Sequence, residues 1–254
     1  MAGPHLPRSC LVPSSEQAEA LVLRAVDYGE SDRVITLFTR EYGCVSAMAR
    51  AARKSKKRFA GALEGFALIH VDLSTGRGAL ARLETARVTR VFPKLLTNLA
   101  ALDAAGVLLR LARDILPERV PEPEVFESLI EALELLDGGV APRPVAVCCQ
   151  ARMLGLCGYT PMLSACVSCG REVPPDRTTL FDVARGGVVC RACGGAIERV
   201  SAPLRLGLMS AFEGAALDAL CDELSEPQLR EAERLLSQFI AQLLQREHKL
   251  EKRH

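Results

Sequence analysis

The sequence predicts an α+β protein of several domains: a small closed β-barrel, followed by an α-helical bundle into which a four-cysteine zinc ribbon is inserted. Three observations lead to this prediction. Five strand-like segments fall within residues 19–92, helical spacing of apolar residues replaces strand alternation after Pro93, and two C-x2-C motifs lie between residues 166 and 193. A chain of 254 residues has room for one large domain or about two to three small ones.

The predicted barrel covers residues 18–92. Its strands are expected at residues 19–27, 33–40, 44–49, 66–73 and 80–92. Closure into a barrel removes the exposed edges that these strands would otherwise present. The long connection at residues 50–65 is where an OB-fold has one, but the number of strands fits an SH3-like barrel equally well. Residues 1–17 contain three prolines and no apolar core of secretory type, so they are expected to form a flexible leader and not a signal peptide.

The helical bundle is predicted in two parts, residues 93–160 and residues 201–254. The first part holds three helices: one over residues 99–116, one from Pro123 to the glycine pair at 138–139, and one over residues 144–159. In the second part, Ser225 and Gln228 form a capping-box pattern ahead of an apolar stripe. Each helix is apolar mainly on one side, as is typical of helices that pack as a bundle.

The zinc ribbon is predicted at residues 161–200. Its four cysteines are Cys166, Cys169, Cys190 and Cys193. Two thiolates three residues apart can hold one side of a tetrahedral ion, and the glycine after each pair lets backbone N–H groups turn toward the sulfurs. The pattern therefore predicts one Zn²⁺, in a structural site because four thiolates leave no open position for water. A redox C-x-x-C motif or a chance pairing is the alternative.

The rest of the composition indicates the compartment. No apolar stretch reaches the ~18–20 residues of a membrane span. Ten cysteines in a reducing compartment are more often metal ligands or core residues than disulfides. We therefore expect a cytoplasmic protein with no membrane partner. The cysteines between the leader and the C-terminus that lie outside the ribbon motif are expected to be small buried side chains: Cys44, Cys148, Cys149, Cys157 and Cys221.

A run of positive charge lies in the long connection of the barrel. It comprises Arg50, Arg53, Lys54, Lys56, Lys57 and Arg58, with no acid among them. Residues 1–92 carry a net charge of +5 and residues 93–254 one of −4, so the overall charge of +1 averages two unlike parts. Because loops of such barrels commonly bind single strands, the run predicts nucleic-acid binding through phosphates, with Arg33 beside it and Phe59 stacked on a base. A solvated loop without a ligand is the alternative.

Sequence motifs of enzymes are absent from the chain. It contains no G-x-x-x-x-G-K-[ST], G-x-G-x-x-G, H-E-x-x-H or G-x-S-x-G motif. Of the four histidines, only His70 lies in a predicted strand, and no nucleophile is paired with a base. The sequence therefore predicts a protein that is not an enzyme and has no catalytic residues.

Several segments match the motifs of a known family. They are DYGESDR at residues 27–33 followed by TLFT at 36–39, the basic run leading into FAGAL at 59–63, and LCGYTP at 156–161 ahead of the first cysteine pair. These motifs resemble those of the RecO family of bacterial recombination mediators. The resemblance covers about residues 18–200 by motif and the C-terminal helices by pattern only.

The resemblance implies an N-terminal OB-fold, a helical bundle and a zinc ribbon inserted in the bundle. It implies a non-enzymatic mediator of RecF-type gap repair, associated with the nucleoid, that binds single- and double-stranded DNA and anneals complementary strands. With RecR, such a protein helps RecA replace single-stranded-DNA-binding protein.

The resemblance also implies that the helical domain receives the acidic, apolar C-terminal tail of single-stranded-DNA-binding protein. Candidate basic residues for that tail, chosen by helical position alone, are Arg110, Arg113 and Arg152. Two alternatives to the mediator stay open. One is a zinc-stabilised protein-interaction module without direct DNA binding, and the other is a zinc-dependent or thiol enzyme.

Overall fold

The computed structural model describes residues 15–55, 57–74, 80–196 and 198–251. Within these ranges the chain forms a five-stranded barrel, a helical bundle and a small three-stranded sheet. Lys56 of the basic run, the residues that join the fourth and fifth strands, and the expected leader as far as residue 14 lie outside the described residues.

The barrel has the topology of an OB-fold. Its strands are β1 (Ser15–Tyr28), β2 (Asp32–Thr39), β3 (Gly43–Ala49), β4 (Ala67–Ser74) and β5 (Ala81–Val91). They close in the order β1-β2-β3-β5-β4, with β1 antiparallel to both β2 and β4 and with β3 parallel to β5. This order decides between the two barrels that the strand pattern left open.

The first strand begins earlier than expected. Glu16 and Gln17 pair with Leu73 and Asp72 of β4, and the Gln17 amide donates to the Asp72 carboxylate at 2.8 Å. Residues 15–17 therefore belong to the barrel and not to a leader. Because Glu16 and Gln17 are joined to the sheet by backbone pairing and polar contacts, the hydrophobic pattern does not reveal them.

The barrel packs directly against the helices. On β2, Ile35 and Leu37 are buried inside the barrel, whereas Phe38 is buried in the core that the helices share. The ring of Phe38 meets that of Phe126 edge to face at 5.4 Å, and the Arg40 guanidinium lies 5.1 Å from the Phe126 ring centroid. Edge-to-face aromatic contacts contribute about 0.5–1.5 kcal/mol beyond the area they bury, so this seam is a true packing interface.

The bundle contains seven helices among the described residues. They are α1 (Pro93–Leu96), α2 (Leu99–Ile115), α3 (Pro123–Gly138), α4 (Pro142–Leu156), α5 (Ala202–Phe212), α6 (Leu217–Glu223) and α7 (Glu226–Glu251). The three helices predicted before the ribbon are confirmed as α2, α3 and α4. Gly139 ends α3 in a left-handed conformation with φ of 90°, and the Ser225 N–H donates to the Gln228 side chain at 2.7 Å, which confirms the predicted cap and capping box.

α4 lies at the centre of the bundle and contacts α2, α3, α5, α6 and α7. Val145, Cys149 and Leu154 on this helix are fully buried. Near its C-terminal end, Gly155 lets α5 approach so closely that a Cβ atom would lie 2.0 Å from the Phe212 carbonyl oxygen. None of the helices in the described part of the chain is long and apolar enough to cross a membrane.

The ribbon is inserted between α4 and α5. Its strands β6 (Thr179–Asp182), β7 (Gly187–Val189) and β8 (Glu198–Val200) form a sheet in the order β7-β6-β8. Phe181 of β6 meets Phe239 of α7 edge to face at 6.4 Å. Arg205 of α5 is only 1% exposed and donates to the carbonyl oxygens of Leu163 at 3.1 Å and Pro174 at 2.7 Å. The ribbon is thus attached to the bundle by both an apolar contact and a buried guanidinium.

Candidate metal centre and nucleic-acid interface

The four cysteines predicted as metal ligands converge on one point. The Sγ atoms of Cys166, Cys169, Cys190 and Cys193 all lie within 4.8 Å of one another, and those of Cys169 and Cys190 are 3.8 Å apart. A tetrahedral ion with Zn–S bonds of ~2.3 Å requires sulfurs separated by roughly 3.8 Å. The four side chains therefore fit a tetrahedral metal ion.

The backbone around the cluster favours thiolates. The Cys190 N–H lies 3.4 Å from the Cys166 sulfur, and this hydrogen bond, with those from the Ser168 and Cys169 N–H groups, lowers the pKa of Cys166 to about 6. The Cys193 N–H lowers the pKa of Cys190 in the same way. Hydrogen bonding of the Cys193 thiol to the sulfurs of Cys190 and Cys169 raises the pKa of Cys193 to about 12.

The glycines of the two motifs take the conformations that the pattern predicts. Gly170 and Gly194, which follow the second cysteine of each pair, have φ of 71° and 57°. The Gly170 N–H donates to the Cys166 carbonyl at 2.8 Å and the Gly194 N–H to the Cys190 carbonyl at 3.1 Å. Each pair therefore closes as a tight turn around the sulfurs.

The other cysteines in the described part of the chain are core residues. Cys44, Cys148, Cys149 and Cys221 are buried and Cys157 is partly buried, as the sequence predicts. Burial raises the pKa of Cys44 and of Cys149 to about 12 and that of Cys157 to about 11. These thiols are therefore protonated at neutral pH and are poor nucleophiles.

The basic loop, residues 50–59, projects its charge from the connection between β3 and β4. Arg50, Arg53, Lys54 and Lys57 are exposed. The loop is anchored at its start, where the Asp32 carboxylate accepts the Ala51 N–H at 2.7 Å. It is anchored at its end, where the Arg58 carbonyl accepts the Ala86 N–H of β5 at 2.9 Å. Exposed cations are thus held on a fixed backbone at one end of the barrel.

Two residues predicted to contact nucleic acid have other positions. Phe59 is only 2% exposed and packs in the barrel core, so the prediction that it stacks on a base is wrong. The Arg58 guanidinium lies 5.0 Å from the centroid of its ring. Arg33 donates to Asp27 at 2.9 Å and to Glu64 at 3.0 Å, so its charge is already paired. Asp27 lies on the neighbouring strand β1, and Glu64 is 31 residues further along the chain. The local sequence around Arg33 therefore does not predict either ion pair.

A groove of about 820 Å³ follows the seam between the barrel and α2. This seam groove is lined on one side by residues of β1, including Arg24, and on the other by Arg110 and Arg113 of α2. Leu109 and Phe66 supply apolar surface in its wall. The structure therefore brings together two of the three arginines proposed for a protein partner and adds Arg24, which the helical pattern could not identify.

Arg152 does not lie in the seam groove. It is on α4, where it pairs with Glu131 of α3 at 2.7 Å, and its side chain is 19% exposed. Glu131 also accepts the Leu217 N–H at the start of α6, at 3.4 Å. Arg152 therefore joins three helices of the bundle, and the prediction that it contacts a partner is corrected. Helical spacing placed it on a polar face but could not show that α3 and α6 cover that face.

The fold and the two sites define a class of protein: an OB-fold barrel with an exposed basic loop, joined to a helical bundle that carries a four-cysteine cluster. Family models match both parts, "Recombination protein O N terminal" over residues 14–92 and "Recombination protein O C terminal" over residues 96–252. The chain belongs to the RecO family of DNA repair proteins.

Its relatives include the DNA repair protein RecO of Anaeromyxobacter sp. (strain K), 39% identical over 226 residues that cover 87% of this chain and 88% of the relative. The RecO protein of Myxococcus xanthus is 38% identical over 232 residues, covering 90% of this chain and 92% of the relative. That of Geobacter metallireducens is 38% identical over 242 residues, 91% of this chain and 93% of the relative.

Proposed function

We propose that the protein is a non-enzymatic recombination mediator of RecF-type gap repair in the cytoplasm, associated with the nucleoid. It binds single- and double-stranded DNA, anneals complementary strands and, with RecR, helps RecA replace single-stranded-DNA-binding protein. The observation that carries this proposal is the basic loop: Arg50, Arg53, Lys54 and Lys57 are exposed on an OB-fold barrel. The membership of the RecO family supports it.

The annealing step follows from charge. Two DNA strands repel each other through their phosphates, and cations held on one protein surface replace the counterions that otherwise screen them. Because Asp32 and Ala86 fix the loop backbone, ordering the loop on binding costs less than it would for a free segment. Phosphate contacts carry no sequence information, so binding is expected to be indifferent to sequence and sensitive to salt.

The four-thiolate cluster is proposed to hold one structural Zn²⁺. Cys166, Cys169, Cys190 and Cys193 would fill its tetrahedral shell, and the ion would neutralise the thiolates that the backbone N–H groups favour. The ion would hold the two cysteine turns together and so stabilise the ribbon.

The seam groove is proposed to receive the acidic, apolar C-terminal tail of single-stranded-DNA-binding protein. Arg24, Arg110 and Arg113 would pair with its carboxylates, while Leu109 and Phe66 would contact its apolar side chains. Arg113 is already paired with Asp114 at 2.8 Å, so Arg110, which is exposed, supplies more of the free charge.

Binding to oligo-dT at increasing salt tests the DNA-binding proposal. About four single-strand phosphate contacts at the basic loop contribute about −3 to the log–log salt slope. The variant Lys54→Gln/Lys57→Gln is expected to reduce the slope by about 1.4, because each phosphate contact contributes about 0.7. The matched control Lys94→Gln/Arg119→Gln removes two exposed cations away from the loop and should leave the slope unchanged. An unchanged slope in the loop variant would favour the alternative of a protein-interaction module.

Strand annealing on DNA coated with single-stranded-DNA-binding protein, with and without RecR, tests the mediator role. Stimulation of annealing that requires Lys54 and Lys57 is expected. A variant of the seam groove, Arg24→Gln/Arg110→Gln, should lose the stimulation on coated DNA and keep annealing of bare strands. Loss of both activities in this variant would contradict the assignment of the groove to the tail.

A further inference from the structure

A second concentration of positive charge lies on the ribbon. A groove of about 660 Å³, here called the ribbon groove, is lined by Arg171, Arg177, Arg191 and Arg199. All four side chains are exposed, and Glu172 is the single acid in the lining. Among the described residues, none of these four guanidinium groups forms an ion pair or a side-chain hydrogen bond. The groove therefore holds an excess of uncommitted charge, although residues 93–254 are acidic overall.

The arginines are carried on backbone that the fold holds in place. Arg171 follows the first cysteine turn, and its carbonyl accepts the Cys166 N–H at 2.8 Å. Arg191 lies inside the second cysteine turn, next to Cys190. Both positions therefore depend on the four-thiolate cluster.

The other two arginines are held by the bundle and the ribbon sheet. Arg177 follows the loop whose Pro174 and Pro175 carbonyls accept hydrogen bonds from the buried Arg205, at 2.7 and 3.2 Å. Arg199 is on β8, opposite Leu180 of β6. A charged lining on a fixed backbone is the arrangement expected of a binding surface, because little order has to be gained when a ligand binds.

The groove continues onto α7. An adjoining concavity of about 440 Å³ shares Thr178 and Arg199 with it and adds Arg230 and Arg234. Arg234 pairs with Glu198 at 3.2 Å and Arg230 lies 4.0 Å from Glu226, so this end is closer to neutral. The excess of positive charge therefore lies on the ribbon, and a surface with less net positive charge continues from it toward α7.

The chemistry of the lining selects the ligand. Guanidinium groups present planar, paired donors that match phosphate oxygens. The apolar residues of the groove are aliphatic or small (Val173, Pro174, Leu180, Val189 and Ala192), so the lining contains no aromatic ring on which a base could stack. We propose that the ribbon groove binds the phosphate backbone of a DNA strand, separately from the basic loop.

This inference rests on the proposed function, since it takes DNA as the ligand of the protein. It adds that one chain holds two strands, one at the basic loop and one at the ribbon groove. It also gives the ribbon a role beyond stability, because the cysteine turns position Arg171 and Arg191.

The test first removes two of the exposed charges of the basic loop. In the Lys54→Gln/Lys57→Gln background, residual salt-dependent binding of oligo-dT is expected. Addition of Arg171→Gln/Arg191→Gln should lower the remaining log–log salt slope by about 1.4, whereas addition of the control pair Lys94→Gln/Arg119→Gln should not. Zinc content and thermal unfolding check that the ribbon is intact. If the Arg171→Gln/Arg191→Gln variant loses metal, it is replaced by Arg177→Gln/Arg199→Gln, whose two positions lie outside the cysteine turns.

A second measurement asks whether two strands are held at once. Two non-complementary dT oligonucleotides, one carrying a donor dye and the other an acceptor, should show energy transfer on the wild-type protein, and this signal should fall severalfold in either the loop variant or the ribbon variant. Failure of wild-type protein to bind DNA would overturn the proposed function itself. Wild-type binding with an unchanged slope and unchanged energy transfer in the ribbon variants would overturn only the second site.

Discussion

At the scale of single residues, the arginines divide by what their charge already contacts. Arg205 is buried and donates hydrogen bonds to backbone carbonyls, while Arg33 and Arg152 form ion pairs with acidic residues. Arg50 and Arg171 are exposed, without an ion pair among the described residues. A positively charged residue type in the sequence is therefore weak support for a ligand contact until its partners are known.

Replacement of Arg205 by methionine is expected to destabilise the protein by about 2–3 kcal/mol, because the buried Leu163 carbonyl and the carbonyls of Pro174 and Pro175 lose the hydrogen bonds of the guanidinium. Urea unfolding measures the change. Arg205→Lys should recover only part of the loss, since an ammonium lacks the planar fork. Leu206→Ala, at an exposed neighbour, should change stability little, and an equal effect in both variants would refute the role of Arg205.

Replacement of Cys193 by serine is expected to reduce bound zinc well below the one ion per chain proposed for the four-cysteine cluster. Metal analysis of the purified protein measures it. Cys157→Ala removes a partly buried thiol outside the cluster and should leave the metal content unchanged. Full retention of zinc in Cys193→Ser would contradict the four-thiolate site.

At the scale of elements, a carboxylate helps to hold the start of the basic loop. Asp32, at the beginning of β2, accepts the Ala51 N–H at 2.7 Å. This hydrogen bond lowers the pKa of Asp32 below its usual range. The pKa of Asp32 in the folded protein lies below the unfolded value of about 3.9. The stabilisation from its hydrogen bond to the Ala51 N–H is therefore fully present above a pH of about 3.9, and it is lost as the pH falls through the lower folded pKa.

Protection of the Ala51 amide against hydrogen exchange should therefore fall in acid, after correction for the intrinsic exchange rate. In Asp32→Ala the protection should be low at every pH, with the barrel strands unaffected. Asp103→Ala, on the exposed face of α2, is the matched removal of a carboxylate and should retain the wild-type profile. A wild-type profile in Asp32→Ala would show that the loop is held by other contacts.

The helices of the bundle depend on one close approach. Gly155→Ala is expected to destabilise the protein by about 1–3 kcal/mol or more, since the added Cβ would lie 2.0 Å from the Phe212 carbonyl oxygen. Gly106→Ala, in α2 with nothing within 4 Å of the added Cβ, should instead stabilise it by up to about 1 kcal/mol. Thermal unfolding of the two variants compares them, and destabilisation by Gly106→Ala equal to that by Gly155→Ala would contradict the packing argument.

At the scale of the whole molecule, the chain has two apolar cores. One fills the barrel, with Ile35, Leu37 and Ile69 at its centre. The other runs through the bundle and includes Phe38 from the barrel and Phe181 from the ribbon. The ribbon therefore shares a core with the helices, whereas the barrel core is formed by the barrel strands and by the connection that contains Phe59.

Removal of the metal by a chelator should consequently loosen residues 161–200 first. Hydrogen exchange followed by mass spectrometry is expected to show lost protection in the ribbon and retained protection in β1–β5. The salt slope of DNA binding should fall by about 1.4 if Arg171 and Arg191 lose their positions, and the loop contribution should remain. Simultaneous loss of protection in barrel and ribbon would contradict the separation of the two cores.

The sequence by itself determined the order of the domains, the three helices before the ribbon, and the four cysteines that cluster as a candidate metal site. These features rest on local patterns: alternation, helical spacing, caps and the spacing of cysteine pairs, all of which act within a few residues. The basic loop was also visible, because its charges are consecutive.

Only the tertiary structure decided the rest. It resolved the barrel as an OB-fold through the pairing of β3 with β5, buried Phe59 beneath the loop, and enclosed Arg152 between helices. It also gathered Arg171, Arg177, Arg191 and Arg199, which are spread over the ribbon among acidic residues, into one groove. Burial and charge pairing depend on contacts between segments far apart in the chain, and a local pattern holds no information about which segments meet.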